Sequence, residues 1–152
     1  MPDPYAYRHI LALLGFDGLD QQIVARATSL ARLSGARLSL LHVIEPEAAL
    51  DGGYPVGNAA TRAAALKQAT RRLRYLAASA GLEQAKCHAV YGPRGQMLRQ
   101  EMAELRPDLV VMGRPGPCPA GAYDILTLAA ARQRGGRLLP ALRAWLLPRA
   151  TA

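Results

Sequence analysis

Short apolar runs alternate with longer segments of helical periodicity along most of the chain. Residues 10–14 are almost wholly apolar and end at Gly15, which is typical of a strand buried on both faces of a sheet. Apolar residues then recur at helical spacing over residues 23–31. This spacing predicts a first helix, with Asp20 as its cap and Ser34-Gly35 at its end.

The same alternation continues to the end of the chain. Further strands are predicted at 37–43, 86–91, 108–113 and 137–147, and further helices at 59–80, 94–105 and 125–132. Parallel strands need crossover connections, which these helices supply. The prediction is therefore one α/β domain over residues 1–152, with a five-stranded parallel sheet covered by helices on both faces. Ligands of such sheets bind at the carboxyl ends of the strands, so the loops after Leu14, Val43 and Met112 are the places to search.

Composition is consistent with a single soluble domain. The chain has 152 residues, of which 51% are hydrophobic, and this suits one core. The first residues lack the apolar run of a signal peptide, and the longest apolar stretches fall below the roughly 18 residues of a spanning helix. We therefore expect a cytoplasmic protein without a membrane segment. Cys87 and Cys118 cannot form a disulfide framework and are expected to be reduced; the alternative for Cys118, near Arg114 in a loop, is a redox-sensitive thiol.

The net charge of +8 raises the question of nucleic-acid binding, because clustered arginine and lysine attract phosphate. The basic residues are, however, spread along the chain. The densest group, Arg71, Arg72 and Arg74, lies in a predicted helix that also needs a solvated face. This distribution favours a solvated face, and no nucleic-acid partner is expected.

No arrangement of a nucleophile with a base is visible in the sequence. His42 and His88 lie on predicted strands without an acidic neighbour, so each is expected to be a packed or hydrogen-bonded side chain. His9 precedes the first strand and is expected to be exposed. Asp108 opens a strand, at the sheet edge opposite the ligand side, which indicates a structural or capping role. We therefore name no catalytic residue.

Three segments resemble the universal stress protein family. They are HILALL at 9–14, GARLSLLHV at 35–43 and DLVVMG at 108–113, and VYGP at 90–93 matches the end of the family's third strand. The resemblance covers roughly residues 7–127. It implies a Rossmann-like fold of the adenine nucleotide alpha-hydrolase type, a homodimer formed through the C-terminal strand and a role in surviving stress. Some members of the family bind ATP and others do not.

The resemblance also implies where a nucleotide would bind. In ATP-binding members a residue at the end of the second strand, here near Val43, meets the adenine, and a glycine motif holds the phosphates. Gly113 and Gly116 match the first part of that motif. The third glycine position, however, is Leu126, followed by Thr127.

The aspartate that ATP-binding members carry after the first strand is replaced here by Gly15. Asp17 takes its place only if the turn holds two extra residues. The loop that should bind phosphate contains Pro115, Pro117 and Pro119, and proline has no N–H to donate to a phosphate oxygen.

We therefore predict a non-enzymatic stress-response module that binds ATP weakly or not at all, needs no cofactor and engages an unknown protein partner. The alternative is a nucleotide sensor, or a weak ATPase, with a degenerate ATP site. That site would comprise Asp17, Val43, Gly113, Arg114, Gly116 and Thr127.

Overall fold

A five-stranded parallel sheet forms the centre of the molecule. The computed structural model describes residues 6–46 and 59–128. Its elements are β1 (His9–Leu13), α1 (Asp20–Ser34), β2 (Arg37–Ile44), α2 (Ala59–Ser79), β3 (Lys86–Tyr91), α3 (Arg94–Leu105), β4 (Leu109–Met112) and β5 (Asp124–Thr127). The strand order is β3-β2-β1-β4-β5, and every pair is parallel. The predicted fold class is thus confirmed.

Alternate residues of the central strands pack into two separate cores. Ile10 and Ala12 of β1 belong to the core under α1 and α2, whereas Leu11 and Leu13 belong to the core under α3. These four residues are at most 3% exposed. Burial on both faces explains why the strand is a continuous apolar run rather than an alternating one.

The end of α1 follows the prediction and its beginning does not. Gly35 adopts a left-handed conformation with φ of 68°, as expected for a glycine that ends a helix. Asp20 is not the cap, because Leu19 holds the N-cap position and makes no side-chain capping bond. The Asp20 carboxylate instead accepts the backbone N–H of Phe16 at 3.0 Å, which closes the turn between β1 and α1.

The helix predicted at 125–132 is wrong in its first part, because Asp124–Thr127 is strand β5. Its register pairs Val111 with Leu126, whose side chain is 8% exposed and packs in the core under α1 and α2. Leu128, the next residue of that predicted helix, is helical and packs against the same core. Residues 129–132, and the last strand predicted at 137–147, lie outside the described residues.

The crossover between β4 and β5 is an extended loop in the described structure. Cys118 and Tyr123 from this loop pack on the core under α3, where a helix would otherwise lie. The Tyr123 hydroxyl donates to the carbonyl oxygen of Pro119. Alternating prolines suit this course, because proline favours extended backbone and disfavours a helix interior.

The amino end of the sheet is closed by side-chain hydrogen bonds. Asp108 accepts the backbone N–H groups of Arg8 at 2.8 Å and His9 at 3.0 Å, which confirms its capping role. His9 is 5% exposed, so the expectation that it is exposed is wrong. Its ring lies 2.7 Å from the carbonyl oxygen of Leu105, to which Nδ1–H donates, and 2.8 Å from Ser39 Oγ. Within the described ranges, no helix is both long and apolar enough to cross a membrane.

Candidate functional site

The strand order places the expected ligand side between β1 and β4. From β1 the chain adds β2 and β3 on one side, and then adds β4 and β5 on the other. The carboxyl ends of β1 and β4 therefore flank the point where the order reverses, and a crevice opens there in folds of this type. The turn over residues 14–19 and the loop after β4 meet at this edge.

Two of the predicted site residues come together at this edge. Arg114 Nε lies 3.5 Å from Asp17 Oδ2, and the Leu19 N–H donates to Asp17 Oδ1 at 3.3 Å. A Cβ placed on Gly15 would lie 3.4 Å from the Asp17 carboxyl carbon. The Asp17 carboxylate thus fills the space that a side chain at position 15 would enter. Because the Arg114 side chain is 71% exposed, this ion pair contributes little to stability.

The two motif glycines differ in their surroundings. A Cβ on Gly113 would lie 2.9 Å from Leu19 Cδ1 and 3.2 Å from Ile23 Cδ1, so glycine is explained there by the close approach of α1. A Cβ on Gly116 would meet nothing within 4 Å. Leu126, at the third glycine position, is a core residue of β5. The structure therefore does not bring the three motif positions together in one loop.

Val43 and Thr127 lie at the carboxyl ends of their strands. Val43 is 5% exposed, packs in the core under α3 and pairs with Val90 of β3. Thr127 pairs with Met112 in the outer strand β5. Their backbones reach the expected ligand side, but no described contact joins either residue to the Asp17–Arg114 pair.

Sequence reasoning missed an aromatic stack beside this pair. The rings of Phe16 and His42 stack with centroids 3.8 Å apart and planes 21° apart. The guanidinium carbon of Arg72 lies over the Phe16 ring, 4.3 Å from the ring centre. Arg72 Nη2 also lies 3.6 Å from Asp20 Oδ2. We call Phe16, His42 and Arg72 the aromatic stack.

The conformation of Phe16 explains why the stack was missed. Phe16 has φ of 56°, a left-handed conformation that bulky residues rarely adopt. Its N–H is held by the Asp20 carboxylate. The His42 ring is held from β2, because its Nδ1–H donates to the Leu14 carbonyl oxygen at 2.8 Å. The consecutive residues Phe16, Asp17 and Gly18 indicate a turn, but the sequence does not show which way the Phe16 ring points.

Burial keeps the ring of His42 neutral. Desolvation lowers the pKa of His42 below its ordinary value, and the nearby Arg72 and Arg94 lower it further, against the opposing effects of the Leu14 carbonyl and Asp20. Desolvation likewise lowers the pKa of His9, with smaller contributions from Arg37 and Lys86. The neutral form leaves no desolvated charge beside the Phe16 ring.

These two histidines predict a loss of stability in mild acid. Their pKa values in the folded state lie below 6.5, so the unfolded chain binds more protons as the pH falls through about 6.5. Burial raises the pKa of Glu101, which acts in the opposite direction. We expect the free energy of unfolding, measured in urea, to fall less between pH 7.5 and pH 5.5 in His42→Gln than in the wild type. An equal fall in both proteins would contradict a lowered pKa of His42 in the folded state.

Ionisable groups elsewhere do not assemble a catalytic arrangement within the described residues. His88 Nδ1 lies 3.6 Å from Glu101 Oε2, a pairing that the sequence did not indicate, but no described hydroxyl or thiol bonds to either group. Burial raises the pKa of the Cys118 and Cys87 thiols, which disfavours the reactive thiolate. The described ranges contain no group of three or more side chains suited to a metal ion.

A cavity of about 760 Å³ lies at the opposite end of the sheet. Its lining includes His9, Ser39, Arg37, Lys86 and Leu105, at the amino ends of the strands and the end of α3. None of the six residues predicted from the sequence lines it. This cavity therefore does not coincide with the expected ligand side.

Comparisons with known proteins agree with this architecture. The profile of the Universal stress protein family matches residues 6–133. A universal stress protein family member from Burkholderia pseudomallei is similar with a TM-score of 0.57 and 19% identity, over 83% of this chain and 98% of that one. A universal stress protein in complex with cAMP is similar with a TM-score of 0.54 and 20% identity, over 80% of this chain and 96% of that one.

A further solved structure is more distant in sequence. The universal stress protein from Archaeoglobus fulgidus in complex with dAMP gives a TM-score of 0.52 and 14% identity, over 80% of this chain and 98% of that one. At these identities the structural likeness establishes the fold. No curated protein matches the chain.

Proposed function

The chain belongs to the universal stress protein family, and from this premise we propose that it is a non-enzymatic stress-response module that binds ATP weakly or not at all and needs no cofactor. The observation that carries the proposal is the aromatic stack at the carboxyl ends of β1 and β2. The protein's own side chains thus occupy the carboxyl ends of β1 and β2, beside the point between β1 and β4 where a ligand of the fold would bind.

The stack is costly to displace because its members support one another. Phe16 lies between His42 and Arg72, and Arg72 also pairs with the buried Asp20. A nucleobase entering here would have to replace a ring contact and a cation–π contact, each worth about 0.5–1.5 kcal/mol. Losing both contacts would cost about 1–3 kcal/mol, which weakens binding roughly 5- to 150-fold.

The loop after β4 supports the same proposal. Three of its residues, Pro115, Pro117 and Pro119, have no N–H to offer a phosphate oxygen. Its one described cation, Arg114, is engaged by Asp17. A triphosphate would therefore meet few hydrogen-bond donors. Arg114 would also have to leave Asp17 before it could bind a phosphate.

A nucleotide sensor, or a weak ATPase, is the second candidate. It is favoured by the position of the Asp17 carboxylate beside Gly15, and by relatives whose structures hold cAMP or dAMP. In this alternative Arg114 leaves Asp17 and binds phosphate, Gly113 and Gly116 shape the loop, and the ends of β2 and β5 near Val43 and Thr127 complete the site.

Isothermal titration calorimetry with ATP and magnesium separates the two candidates. We expect no saturable heat in the low micromolar range from the wild type or from Arg114→Ala, because ATP would have to displace the aromatic stack and the loop after β4 offers few N–H donors. Arg99→Ala, an exposed arginine on α3, is the matched control. A low micromolar dissociation constant that weakens in Arg114→Ala but not in Arg99→Ala would reject our proposal and support the nucleotide sensor. ATP turnover that disappears in Asp17→Ala would support the weak ATPase.

We further propose a cytoplasmic homodimer that engages a protein partner. The family resemblance suggests pairing through the C-terminal strand, whose predicted residues lie outside the described ranges. Among the described strands, β5 is an outer strand of four residues with one side unpaired. An unpaired edge favours association with another chain, which supports dimerisation on that side of the sheet.

A further inference from the structure

The positive charge of the described protein is concentrated on one layer. Helices α1 and α2 cover the same face of the sheet and share one core. Together they carry seven basic residues, and Asp20 is their one acidic residue. Helix α2 alone has 21 residues and no carboxylate. The surplus on this layer is therefore six positive charges.

The rest of the described chain is electrically balanced. Outside α1 and α2, the described residues include seven arginines or lysines and seven carboxylates. Helix α3, on the other face of the sheet, has two residues of each sign. The basic residues are spread along the sequence, but the fold places the unbalanced ones together. Among the described residues, the spread of basic positions along the sequence therefore does not speak against a nucleic-acid partner.

Six of the seven basic side chains on this layer form no salt bridge with a described carboxylate. Arg72 is the exception, since it pairs with Asp20. The other six are exposed, and we call five of them the basic face: Arg26, Arg32, Lys67, Arg71 and Arg74. The sixth, Arg62, lies on the sheet side of α2, with its guanidinium carbon 5.3 Å from the centre of the Tyr91 ring. Like charges on adjacent helices repel, so an anionic partner would relieve this repulsion.

The chemistry of the basic face suits phosphate. Four of its five members are arginines, whose planar guanidinium groups bind phosphate through two parallel hydrogen bonds. On α2, Lys67, Arg71 and Arg74 follow at spacings of four and three residues and so share a stripe roughly 10 Å long. Tyr75, next to this stripe, is 68% exposed. An exposed aromatic ring beside arginines can stack on an unpaired base.

We propose that the basic face binds the phosphate backbone of single-stranded nucleic acid, with Tyr75 stacking on a base. A membrane surface fits less well, because Leu33 and Tyr75 are the large apolar side chains exposed on the two helices, whereas surface-bound helices insert a broad apolar face. An acidic protein would pair with the basic side chains, but it would not account for the exposed ring of Tyr75 beside them. Since no member of the basic face belongs to the aromatic stack or to the six predicted ATP-site residues, the proposal is independent of ATP binding.

Fluorescence anisotropy with a labelled 20-nucleotide single-stranded DNA tests the proposal in the full-length protein. We expect binding at 50 mM salt that weakens steeply at 200 mM, because phosphate contacts release counterions. The triple variant Lys67→Gln, Arg71→Gln, Arg74→Gln should weaken binding about tenfold or more. It should also reduce the slope of log K against log salt by about 2, which is three contacts at roughly 0.7 each.

A matched control removes the same charge from elsewhere. Arg8→Gln, Lys86→Gln, Arg99→Gln together lower the net charge equally, and all three residues are exposed outside α1 and α2. This variant should keep its affinity within about threefold. Tyr75→Ala should weaken binding to the single strand by about fivefold or more, and binding to a duplex of the same sequence far less. Thermal unfolding of each variant confirms that it is folded.

Three results would overturn the proposal. The first is no binding by the wild type at 50 mM salt. The second is an equal loss of affinity in the triple variant and its control, which would make the interaction an effect of net charge alone. The third is binding to vesicles containing phosphatidylserine, or to polyglutamate, that is tighter than binding to the oligonucleotide, which would identify a membrane or an acidic protein as the partner.

Discussion

Replacing Leu126 with lysine is expected to lower the free energy of unfolding by about 3 kcal/mol or more. Leu126 is 8% exposed in β5 and packs in the core under α1 and α2. A lysine there must either bury its ammonium group without a partner or force the strand away from β4. The six surplus positive charges of the helices above it would add to the cost.

The neighbouring position supplies the control. Ile125 is 38% exposed, so Ile125→Lys should cost less than about 1 kcal/mol. Urea unfolding followed by circular dichroism measures both variants. Equal tolerance of lysine at the two positions would show that these residues do not form a strand in this register, because alternate residues of a strand face opposite sides.

Removing the carboxylate of Asp20 is expected to cost about 2 kcal/mol. Asp20 is 4% exposed, accepts the N–H of Phe16 and lies 3.6 Å from Arg72. In Asp20→Ala the N–H of Phe16 loses its acceptor, and the left-handed turn that carries the aromatic stack loses its support. Arg72 would at the same time lose its counter-charge.

Asp20→Asn distinguishes the hydrogen bond from the charge. Asparagine keeps an oxygen that can accept the N–H of Phe16 but cannot pair ionically with Arg72. We therefore expect it to cost about half as much as the alanine substitution. Chemical denaturation gives both values. If the two variants were equally destabilised, the ion pair rather than the turn would be the source of the stability.

The sequence was sufficient for most of the sheet because its strands are buried on both faces. The runs at 10–14 and 108–113 are apolar enough to be recognised without any neighbour, and β3 and α3 have the predicted bounds. The strand β5 was missed because Asp124–Thr127 is short, and its two apolar residues fit a helix as well as a strand. Only its pairing with β4 decides between them.

The candidate site was less predictable than the fold. Asp17 and Arg114 were identified separately, but their pairing depends on β1 and β4 being neighbours, which the order of elements along the chain does not reveal. The contact of Phe16 with His42 depends in addition on one left-handed backbone conformation. The pattern of apolar and polar residues along the sequence gives neither the strand order nor the backbone conformation of Phe16.

The short link between β4 and β5 has a consequence for how the sheet opens. Pairing β1 with β4 closes a loop of almost the whole described chain, whereas pairing β4 with β5 closes only the loop before Asp124. Loop-closure entropy rises with length, so the outermost strand can detach and re-dock at small entropic cost while the central strands stay paired. In hydrogen exchange, the amides of this edge would then exchange through local fraying and the amides of β1 through global unfolding.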